Sequence, residues 1–384
     1  MTAKELTRRQ ALQALAATGV ALGTGCGPTS TRANKAHESE APVKTDPVLS
    51  TLALPDGVTP MPTRDPFLFC VHHNDDYPAG NTQFGPAQPL TGRNIGQDFV
   101  EKDGFRMYHG EVVPGFPRHP HRGFETVTVV RRGLLDHSDS MGAAARYGRG
   151  DVQWLTAGGG IQHSEMFPLL SSVERNPVEL FQIWLNLPAS RKMVPPYFSM
   201  LWSDQIPTID LQDKNGHAVS LTVFAGTYSG KKPPPPPPDS WAADANAEVA
   251  IWTIRLAPHA RFSMPTTGTH TDRSLYILDG AGLQLDGHHH APRTRLDLER
   301  GREIELENGN SATEVLLLQG SPIGEAVAHY GPFVMNTEAE LREAFRDYQA
   351  TQFGGWPWPQ NDPVHGESPE RFARHADGRT ERPA

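Results

Sequence analysis

The sequence predicts an all-β fold built from short strands and tight turns. Glycine and proline are abundant, at 36 and 35 of 384 residues, which favours frequent turns over long helices. Alternating or β-branched runs recur between the turns, as in residues 126–130 and 179–187. A chain of this length suits two domains with extensions, and the turns near Gly280, Gly301 and Gly309 are spaced as in a β-barrel.

The first 26 residues are typical of an export signal. Residues 7–12 (TRRQAL) resemble a twin-arginine motif, and the apolar run that follows is too short to span a membrane as a helix. The residues before Cys26 resemble a bacterial lipobox, with Gly23 where leucine is usual. We therefore expect export by the twin-arginine route to the envelope or periplasm, with a lipid anchor at Cys26. A basic amphipathic helix is the alternative.

A polar segment separates this leader from the body of the chain. Residues 27–60 are rich in Pro, Thr, Ser and charged residues without periodicity, which predicts a flexible linker. The chain has two cysteines, Cys26 and Cys70. Lipidation of Cys26 would therefore leave no partner for an intramolecular disulfide.

Residues 61–196 are predicted to form a first barrel, and they contain two pairs of possible metal ligands. His119 and His121, and likewise His163 and Glu165, are spaced i, i+2. In an extended strand such side chains point to the same face, about 6.5 Å apart. Two strands that face each other could therefore bring both pairs to one ion.

A single His-x-His pair is more often an ordinary surface or core feature than a metal site. Here two pairs are separated by strand patterns, and Gly158-Gly159-Gly160 permits a tight turn just before the second pair. Three imidazoles and one carboxylate suit Fe(II), Mn(II), Ni(II), Cu(II), Co(II) or Zn(II). Four such ligands also leave coordination positions open, as in catalytic metal sites.

Residues 197–335 are predicted to form a second barrel. Pro233 to Pro238 form a stiff polyproline run, more often a surface loop than a docking site. His270 and Asp272 are spaced like a ligand pair, but no second pair follows at a suitable distance, and His288 to His290 follow an Asp-Gly turn. We therefore expect no metal in this half.

The last segment, residues 336–384, combines a helix with a tail. Leu341, Ala344, Phe345 and Tyr348 share one face of a helix predicted over Glu338–Ala350, which Asn336 and Thr337 can cap. The tail after Gly355 is rich in proline and charge and is predicted to be poorly ordered.

Three motifs resemble those of the pirin family of bicupins. They are HPHRGFET (residues 119–126), GDVQWLTAGGGIQHSEM (residues 150–166) and GPFVMNT (residues 331–337). The resemblance covers roughly residues 60 to 354. It implies two tandem cupin β-barrels of jelly-roll type, the second without metal, and a C-terminal helix that covers a barrel.

The resemblance also implies the ligands. Pirins hold one metal ion with both histidines of the first motif and with the His and Glu of the second. These correspond here to His119, His121, His163 and Glu165. Glu125 stands where many other cupins place their carboxylate ligand. The resemblance favours Glu165 and leaves Glu125 as a neighbour of the ligands.

The resemblance further implies an oxidoreductase, because several pirins cleave the flavonol quercetin with dioxygen. We expect a divalent metal, Fe(II) by preference, to lower the pKa of the substrate hydroxyl, and Glu165 to accept its proton as general base. Phe116, Phe124 and Met166 are candidate contacts for a flat aromatic substrate. Trp154 is more typical of a core residue.

Two other functions stay open at this stage. Animal pirins act as metal-switched partners of transcription factors. The resemblance to them implies that the chain could be a non-catalytic, redox-sensing protein that regulates a protein partner. It could also act on another small aromatic compound or a sugar. An exported protein would meet no transcription factor, so the leader favours the enzyme.

The net charge of −9 and the lack of a basic stripe argue against nucleic-acid binding. We expect a monomer whose partners are a small aromatic substrate and dioxygen, with membrane contact only through the lipid anchor.

Overall fold

Short strands between turns dominate the structure, a computed structural model that describes residues 45–384. The expected export signal and most of the expected linker lie outside the described residues. Residues 46–384 form one unit. No helix in this part of the chain is long and apolar enough to cross a membrane.

The first barrel consists of two sheets. In chain order the strands begin with β1 (Val48–Ala53), which belongs to the second barrel, and continue with β2 (Phe67–Tyr77), β3 (Gly115–His121), β4 (Phe124–Arg132), β5 (Leu134–Asp139), β6 (Ala144–Gly148), β7 (Val152–Thr156), β8 (Ile161–Met166), β9 (Asn176–Asn186) and β10 (Tyr197–Leu201). One sheet has the order β10-β7-β4-β9-β2, and the other contains β6-β5-β8-β3. Hydrogen bonds from Thr128 on β4 and Gln182 on β9 to Glu165 on β8 connect the two sheets across the interior.

The second barrel also has two sheets. Its further strands are β11 (Thr208–Gln212), β12 (Ala218–Ala225), β13 (Ala250–Leu256), β14 (Arg261–Met264), β15 (Asp272–Ile277), β16 (Leu283–Leu285), β17 (His288–His290), β18 (Thr294–Leu298), β19 (Ile304–Asn308) and β20 (Thr313–Gly320). The sheet orders are β1-β18-β15-β20-β13-β12-β11 and β14-β19-β16-β17. Buried apolar side chains such as Leu221, Leu275, Leu296 and Leu306 fill the space between these sheets.

The two barrels pack through a shared apolar core. Val127, Trp154 and Ile183 come from the five-stranded sheet of the first barrel, and Ile251 and Leu316 come from the seven-stranded sheet of the second. These side chains are almost completely buried. Trp154 is therefore a core residue, as its sequence context indicated. The same core holds Cys70, whose thiol is fully buried and unpaired among the described residues.

The C-terminal helix is confirmed. Strands β21 (Ala328–Tyr330) and β22 (Phe333–Met335) precede helix α1 (Glu338–Thr351), and Arg122, the residue after β3, forms a parallel bridge with Phe333. Thr337 caps α1, and its side chain and that of Glu340 form a reciprocal capping box. The buried Leu341 and Ala344 pack against Phe333, so the helix is fixed to the barrel that carries the histidines.

Two predicted boundaries and the expected disorder of the tail are wrong. Residues 48–53 of the expected linker form β1 and pair with β18. Residues 197–201 belong to the first barrel, because β10 pairs with β7. The expected poorly ordered tail forms β23 (Phe372–Arg374) and β24 (Thr380–Glu381), and β23 extends the six-stranded sheet by pairing with β6. Four 3-10 turns complete the described chain, at Ala189–Arg191, Trp241–Ala243, Ala245–Ala247 and Gln352–Gly354.

The tail is held by buried polar contacts that composition does not reveal. Arg146 and Asp136 form a buried ion pair, with 2.6 Å between Nη2 and Oδ2. The same Arg146 donates to the carbonyl of Ser368, and the amide of His365 donates to Asp136 at 2.8 Å. An ion pair buried this completely leaves an uncompensated charge when one partner is removed. The tail is therefore held in place by Arg146 and Asp136 of the first barrel, which the composition of the tail alone cannot reveal.

Gly123, in the turn between β3 and β4, provides a test of the packing beside His121. Its φ is +85°, and a Cβ atom there would lie 2.0 Å from the carbonyl oxygen of Val334. We expect Gly123→Ala to lower the free energy of unfolding by about 3 kcal/mol or more, the sum of left-handed strain and overpacking. Gly216 has the same φ of +85°, but a Cβ atom there would have no neighbour within 4 Å, so Gly216→Ala should cost only about 1 kcal/mol. Equal costs in denaturant titration would show that the contact with Val334 is unimportant.

Candidate metal centre

The two histidine motifs lie on adjacent antiparallel strands. His119 on β3 is paired with His163 on β8, and His121 is paired with Ile161. Because His119 and His121 are two residues apart, both side chains leave β3 on the same face. A register shift between Phe116 and His119 interrupts the regular pairing just before this motif. The expectation that both motifs face each other in a barrel therefore agrees with the strand register.

The three imidazoles form a compact group. One ligand nitrogen from each of His119, His121 and His163 lies within 4.8 Å of those of the other two. The ring centroids are 4.4 to 4.9 Å apart. Metal–nitrogen bonds of about 2.0–2.1 Å require nitrogens somewhat closer than 4.8 Å, so small side-chain rotations would bring these rings onto one ion.

The protonation state of these rings fits a metal site. Burial lowers the pKa of His119 to about 4, and it lowers the pKa values of His121 and His163 well below the usual range. All three imidazoles are therefore neutral at pH 7 and keep a lone pair for a metal. Neighbouring imidazoles reinforce the shift, because their positive charges would repel one another.

Unpaired nitrogen atoms give an independent indication. Nδ1 of His121 and both ring nitrogens of His163 are buried without a hydrogen-bond partner among the described residues. Buried polar atoms in proteins are nearly always paired, so unpaired ones need a reason. Nδ1 of His119 lies 2.9 Å from the carbonyl oxygen of Pro117 and must donate to it, which leaves Nε2 as the acceptor. These residues fit a divalent transition metal, since each imidazole can offer one nitrogen to the ion and neither nitrogen of His163 has another partner among the described residues.

Glu165 lies on the same face of β8 as His163 but outside the compact group. The group of mutually close ligand atoms consists of the three histidines alone among the described residues. Oε1 of Glu165 accepts a hydrogen bond from Thr128 at 3.0 Å, and Oε2 accepts one from Gln182 at 3.2 Å. Burial raises the pKa of this carboxyl group, with a partial offset from His137 and from these hydrogen bonds. The assignment of Glu165 as the fourth ligand stays a prediction.

Glu125 lies on the other side of the five-stranded sheet. Thr128 faces the interior that contains Glu165, so Glu125, three positions earlier on β4, faces away from it. Its oxygens accept hydrogen bonds from Thr156 at 2.6 Å and from Ser240 at 2.7 Å. The expectation that Glu125 neighbours the metal ligands is therefore wrong. Its carboxylate instead connects the first barrel to the segment before Trp241.

Aromatic rings surround the three imidazoles. The ring of Phe124 is 5.1 Å from that of His121, and the ring of Phe116 is 6.4 Å from that of His119. Trp184 on β9, which the sequence did not single out, is 5.5 Å from His121 and 4.3 Å from Phe124. Met166 is fully buried and follows Glu165 directly, so it lies on the opposite face of β8. The expected substrate contact at Met166 is therefore wrong.

Comparison with known proteins agrees with this geometry. The sequence profile of the family described as Pirin matches residues 58–185, and that of the Pirin C-terminal cupin domain matches residues 251–354. The chain is 36% identical over 243 residues to a pirin-like protein of Solanum lycopersicum, covering 62% of this chain and 77% of the relative. It is 33% identical over 259 residues to human pirin, covering 65% and 81% of the two chains.

This chain belongs to the pirin family. A solved structure of quercetin 2,3-dioxygenase from Acinetobacter baumannii is similar to it, with a TM-score of 0.62, 26% identity, and coverage of 80% of this chain and 98% of that one. The described chain is therefore a bicupin, as predicted. All the histidines of the compact group lie inside the segment that the first pirin profile matches.

The pirin barrel contains a second buried pair that sequence reasoning missed. His137 and Asp139 lie on β5 directly opposite Glu165 and His163 on β8, and Nε2 of His137 is 3.2 Å from Oδ2 of Asp139. The ring of His137 is 5.5 Å from that of His163, and its Nδ1 is buried without a partner among the described residues. The His-x-Asp spacing on a strand is the same i, i+2 signal that identified the ligand pairs, and it could have been recognised.

A buried polar network lies next to Phe116. Nδ1 of His73 is 2.9 Å from the hydroxyl of Tyr108, which donates to Asp75 at 2.5 Å, and Arg106 donates to the other oxygen of Asp75 at 2.8 Å. Burial lowers the pKa of His73 to about 3, so this imidazole is neutral. The network fixes the wall behind Phe116, whose ring packs 5.1 Å from that of Tyr108. His73 and Asp75, like Arg106 and Tyr108, are spaced i, i+2, but the sequence does not show that these two pairs meet.

Glu125 predicts a pH dependence of stability. Burial raises its pKa to about 7 from an ordinary value of 4.5, so the folded state binds the proton more tightly than the unfolded state. The corresponding stability is complete below about pH 4.5 and is lost as pH rises to about 7, by roughly 3 kcal/mol. We expect Glu125→Gln to remove this loss, so that the variant gains stability relative to the native chain between these pH values. Parallel unfolding free energies for both proteins across that range would contradict the assignment.

Proposed function

We propose that this pirin is a dioxygenase that opens the central ring of a quercetin-like flavonol with dioxygen. The observation that carries the proposal is the buried group of three neutral imidazoles, with a carboxylate on the same strand face and aromatic rings beside it. The similarity to a structure named quercetin 2,3-dioxygenase supports the same reaction. In this reaction, one flavonol molecule and one dioxygen molecule give one ring-opened ester and one molecule of carbon monoxide, so atoms and electrons balance without an added reductant.

His119, His121, His163 and Glu165 would hold the metal, which we propose to be Fe(II); Mn, Ni, Cu, Co and Zn fit the same donors. A bound divalent ion would supply Lewis acidity toward the hydroxyl and keto oxygens of the substrate and an open position for a second ligand. The protein supplies the remaining chemistry through its carboxylate and its aromatic rings.

Glu165 is the candidate general base. Burial raises its pKa, which strengthens it as a proton acceptor near neutral pH. Thr128 and Gln182 hold both of its oxygens, so the carboxylate is positioned before substrate arrives. Its proton acceptance would convert the substrate hydroxyl into an electron-rich oxyanion that reacts with dioxygen.

Partly exposed aromatic rings mark the proposed substrate side. Trp184 stacks on Phe69, with ring centroids 4.6 Å apart, and both are half-buried, as are His119 and Phe116. A flat flavonol could pack against Trp184 and Phe116 and direct its hydroxy-ketone edge toward the imidazoles. The predicted contact at Phe124 fits this arrangement, because its ring packs against those of both His121 and Trp184.

The test is aerobic turnover of quercetin by protein loaded separately with each of the candidate metals. We expect loss of the near-ultraviolet band of quercetin and one carbon monoxide released per dioxygen consumed, with at least one of these ions. A lack of turnover with every metal, despite confirmed loading, would reject the flavonol reaction. Retained metal binding in that case would favour the redox-sensing alternative, in which the protein regulates a partner.

We also propose that the protein is exported and anchored in the cell envelope through a lipid on Cys26. The support is the sequence of residues 1–26, which lie outside the described residues. Cys70 is fully buried, so it is a poor competitor for acylation. Fatty-acid labelling of intact cells should mark the native protein and not Cys26→Ser. Equal label in both proteins would exclude the anchor.

A further inference from the structure

A small cavity lies between the first barrel and its C-terminal tail. Its volume is about 160 Å³. The outer wall is the turn between β23 and β24, with His375 and Arg379, and the opposite rim contains Met141 and Tyr197. β10, which carries Tyr197, is the edge strand of the five-stranded sheet, whereas β23 extends the six-stranded sheet. The cavity therefore occupies the gap between the edges of the two sheets.

The inner wall of the cavity is apolar. It is formed by Ala143, Leu155, Ile161 and Phe198, all almost completely buried. Asp139 is the polar residue of this inner wall, and its oxygens are engaged, whereas His375, Asp377 and Arg379 make the outer side polar. Oδ1 accepts the amides of Met141 and Ala143 at 2.9 and 3.0 Å, and Oδ2 lies 3.2 Å from His137.

This wall is adjacent to the imidazoles. Asp139 is the cross-strand partner of His163, and Ile161 lies two residues from His163 on the same strand face. The ring of His137 is 5.5 Å from that of Phe198 and 5.5 Å from that of His163. One ring thus separates the cavity from the compact histidine group.

The cavity and the proposed substrate side approach the histidines from opposite directions. The substrate side is at β3, one edge of the six-stranded sheet, and the cavity is at the β23 end of the same sheet. A flavonol packed on Trp184 and Phe116 would close the first approach. A second reactant that arrives after the flavonol would then need a different route to the histidines.

We propose that this cavity is a binding site for dioxygen and its entry route to the metal centre; the identity of the gas rests on the proposed function. Sites for drug-sized ligands occupy about 300–1,000 Å³, so a flavonol would not fit. Dry apolar cavities of about 150 Å³ bind xenon and other small apolar molecules. The size therefore excludes the aromatic substrate, and the apolar inner wall favours a small apolar gas.

Two variants would obstruct the proposed route through the cavity. Ala143→Leu fills the inner cavity, and Met141→Trp covers its mouth at a side chain that is 46% exposed. The second change keeps the experiment decisive if the first one destabilises the barrel. Met193→Trp is the matched control, since Met193 is 58% exposed and does not line the cavity.

Two of the three measurements do not require turnover. Xenon-pressurised crystals of the full chain should show an atom beside Ala143 and Ile161 in the native protein and none in Ala143→Leu. Stopped-flow association of nitric oxide with the Fe(II)-loaded protein should slow about fivefold or more in both cavity variants and not in Met193→Trp. In the presence of quercetin, the KM for dioxygen should rise while the KM for quercetin is unchanged.

An absence of xenon in the native cavity would overturn the binding site. Unchanged nitric oxide association in folded, metal-loaded Ala143→Leu and Met141→Trp would overturn the route. A lack of quercetin turnover together with the expected xenon and nitric oxide results would reject the proposed flavonol reaction alone. The cavity would then serve a gas reaction with another substrate.

Discussion

Replacement of His121 by alanine is expected to lower the affinity for a divalent metal at least about tenfold, and more where the ion depends on all three imidazoles. His121 is almost completely buried, and its ring lies within 4.9 Å of those of both other histidines. Alanine removes a donor and leaves a space that water cannot fill with equal affinity. Metal content after dialysis against a competing chelator, measured by elemental analysis, tests this expectation.

His270→Ala is the matched control for this experiment. His270 is exposed in the second barrel and is not a member of the compact group. It should leave the metal content unchanged, while His119→Ala and His163→Ala should behave like His121→Ala. Full metal occupancy in His121→Ala, with an unaltered circular dichroism spectrum, would show that the ion is held elsewhere.

The sequence correctly predicted that His119 and His121 share one face of a strand, because the alternation of side chains along a strand is a strictly local property. The i, i+2 spacing of His119 and His121 specifies a shared face wherever the strand lies. That β3 pairs with β8 is a long-range fact, and here the resemblance to pirins supplied what periodicity could not. The core position of Trp154 was also predictable, since a large aromatic residue within an apolar strand is usually buried.

Two errors came from neglecting the same alternation rule. Met166 adjoins Glu165, so it must face the other way, and Glu125 has the opposite parity to Thr126 and Thr128. Proximity in sequence suggested Met166 and the cupin motif suggested Glu125, but neighbouring residues on a strand point to opposite faces of the sheet. The sequence contained the information needed to exclude them.

Other features could not be predicted because they depend on distant partners. The tail after Gly355 has the composition of a disordered segment, yet Asp136 and Arg146 hold it to the first barrel. Segment β1 is mostly exposed and is ordered through pairing with β18. Composition describes what a segment can bury by itself and is silent about an edge strand that offers it hydrogen bonds.

Replacement of Glu165 by glutamine is expected to separate metal binding from proton transfer. Glutamine has nearly the same shape and can keep a hydrogen bond to Thr128, so three imidazoles should retain much of the metal. An amide cannot accept the substrate proton as a carboxylate does, and loss of a general base costs roughly 10² to 10⁴ in turnover. We expect kcat for quercetin to fall by about this factor with little change in KM. Steady-state kinetics normalised to bound metal would measure it.

Glu125→Gln is the matched control for Glu165→Gln, because it changes another buried carboxylate of the same barrel on the opposite face of its sheet. It should preserve turnover and alter only the pH dependence of stability. Loss of metal in Glu165→Gln would make Glu165 chiefly a ligand, whereas unchanged turnover with full metal would remove it as the base. In the second case His137 becomes the next candidate, since its unpaired Nδ1 and its position opposite Glu165 give it access to the same interior. The geometry favours Glu165 because Thr128 and Gln182 already orient its carboxylate, whereas the side chain of His137 has one hydrogen-bond partner among the described residues, Asp139.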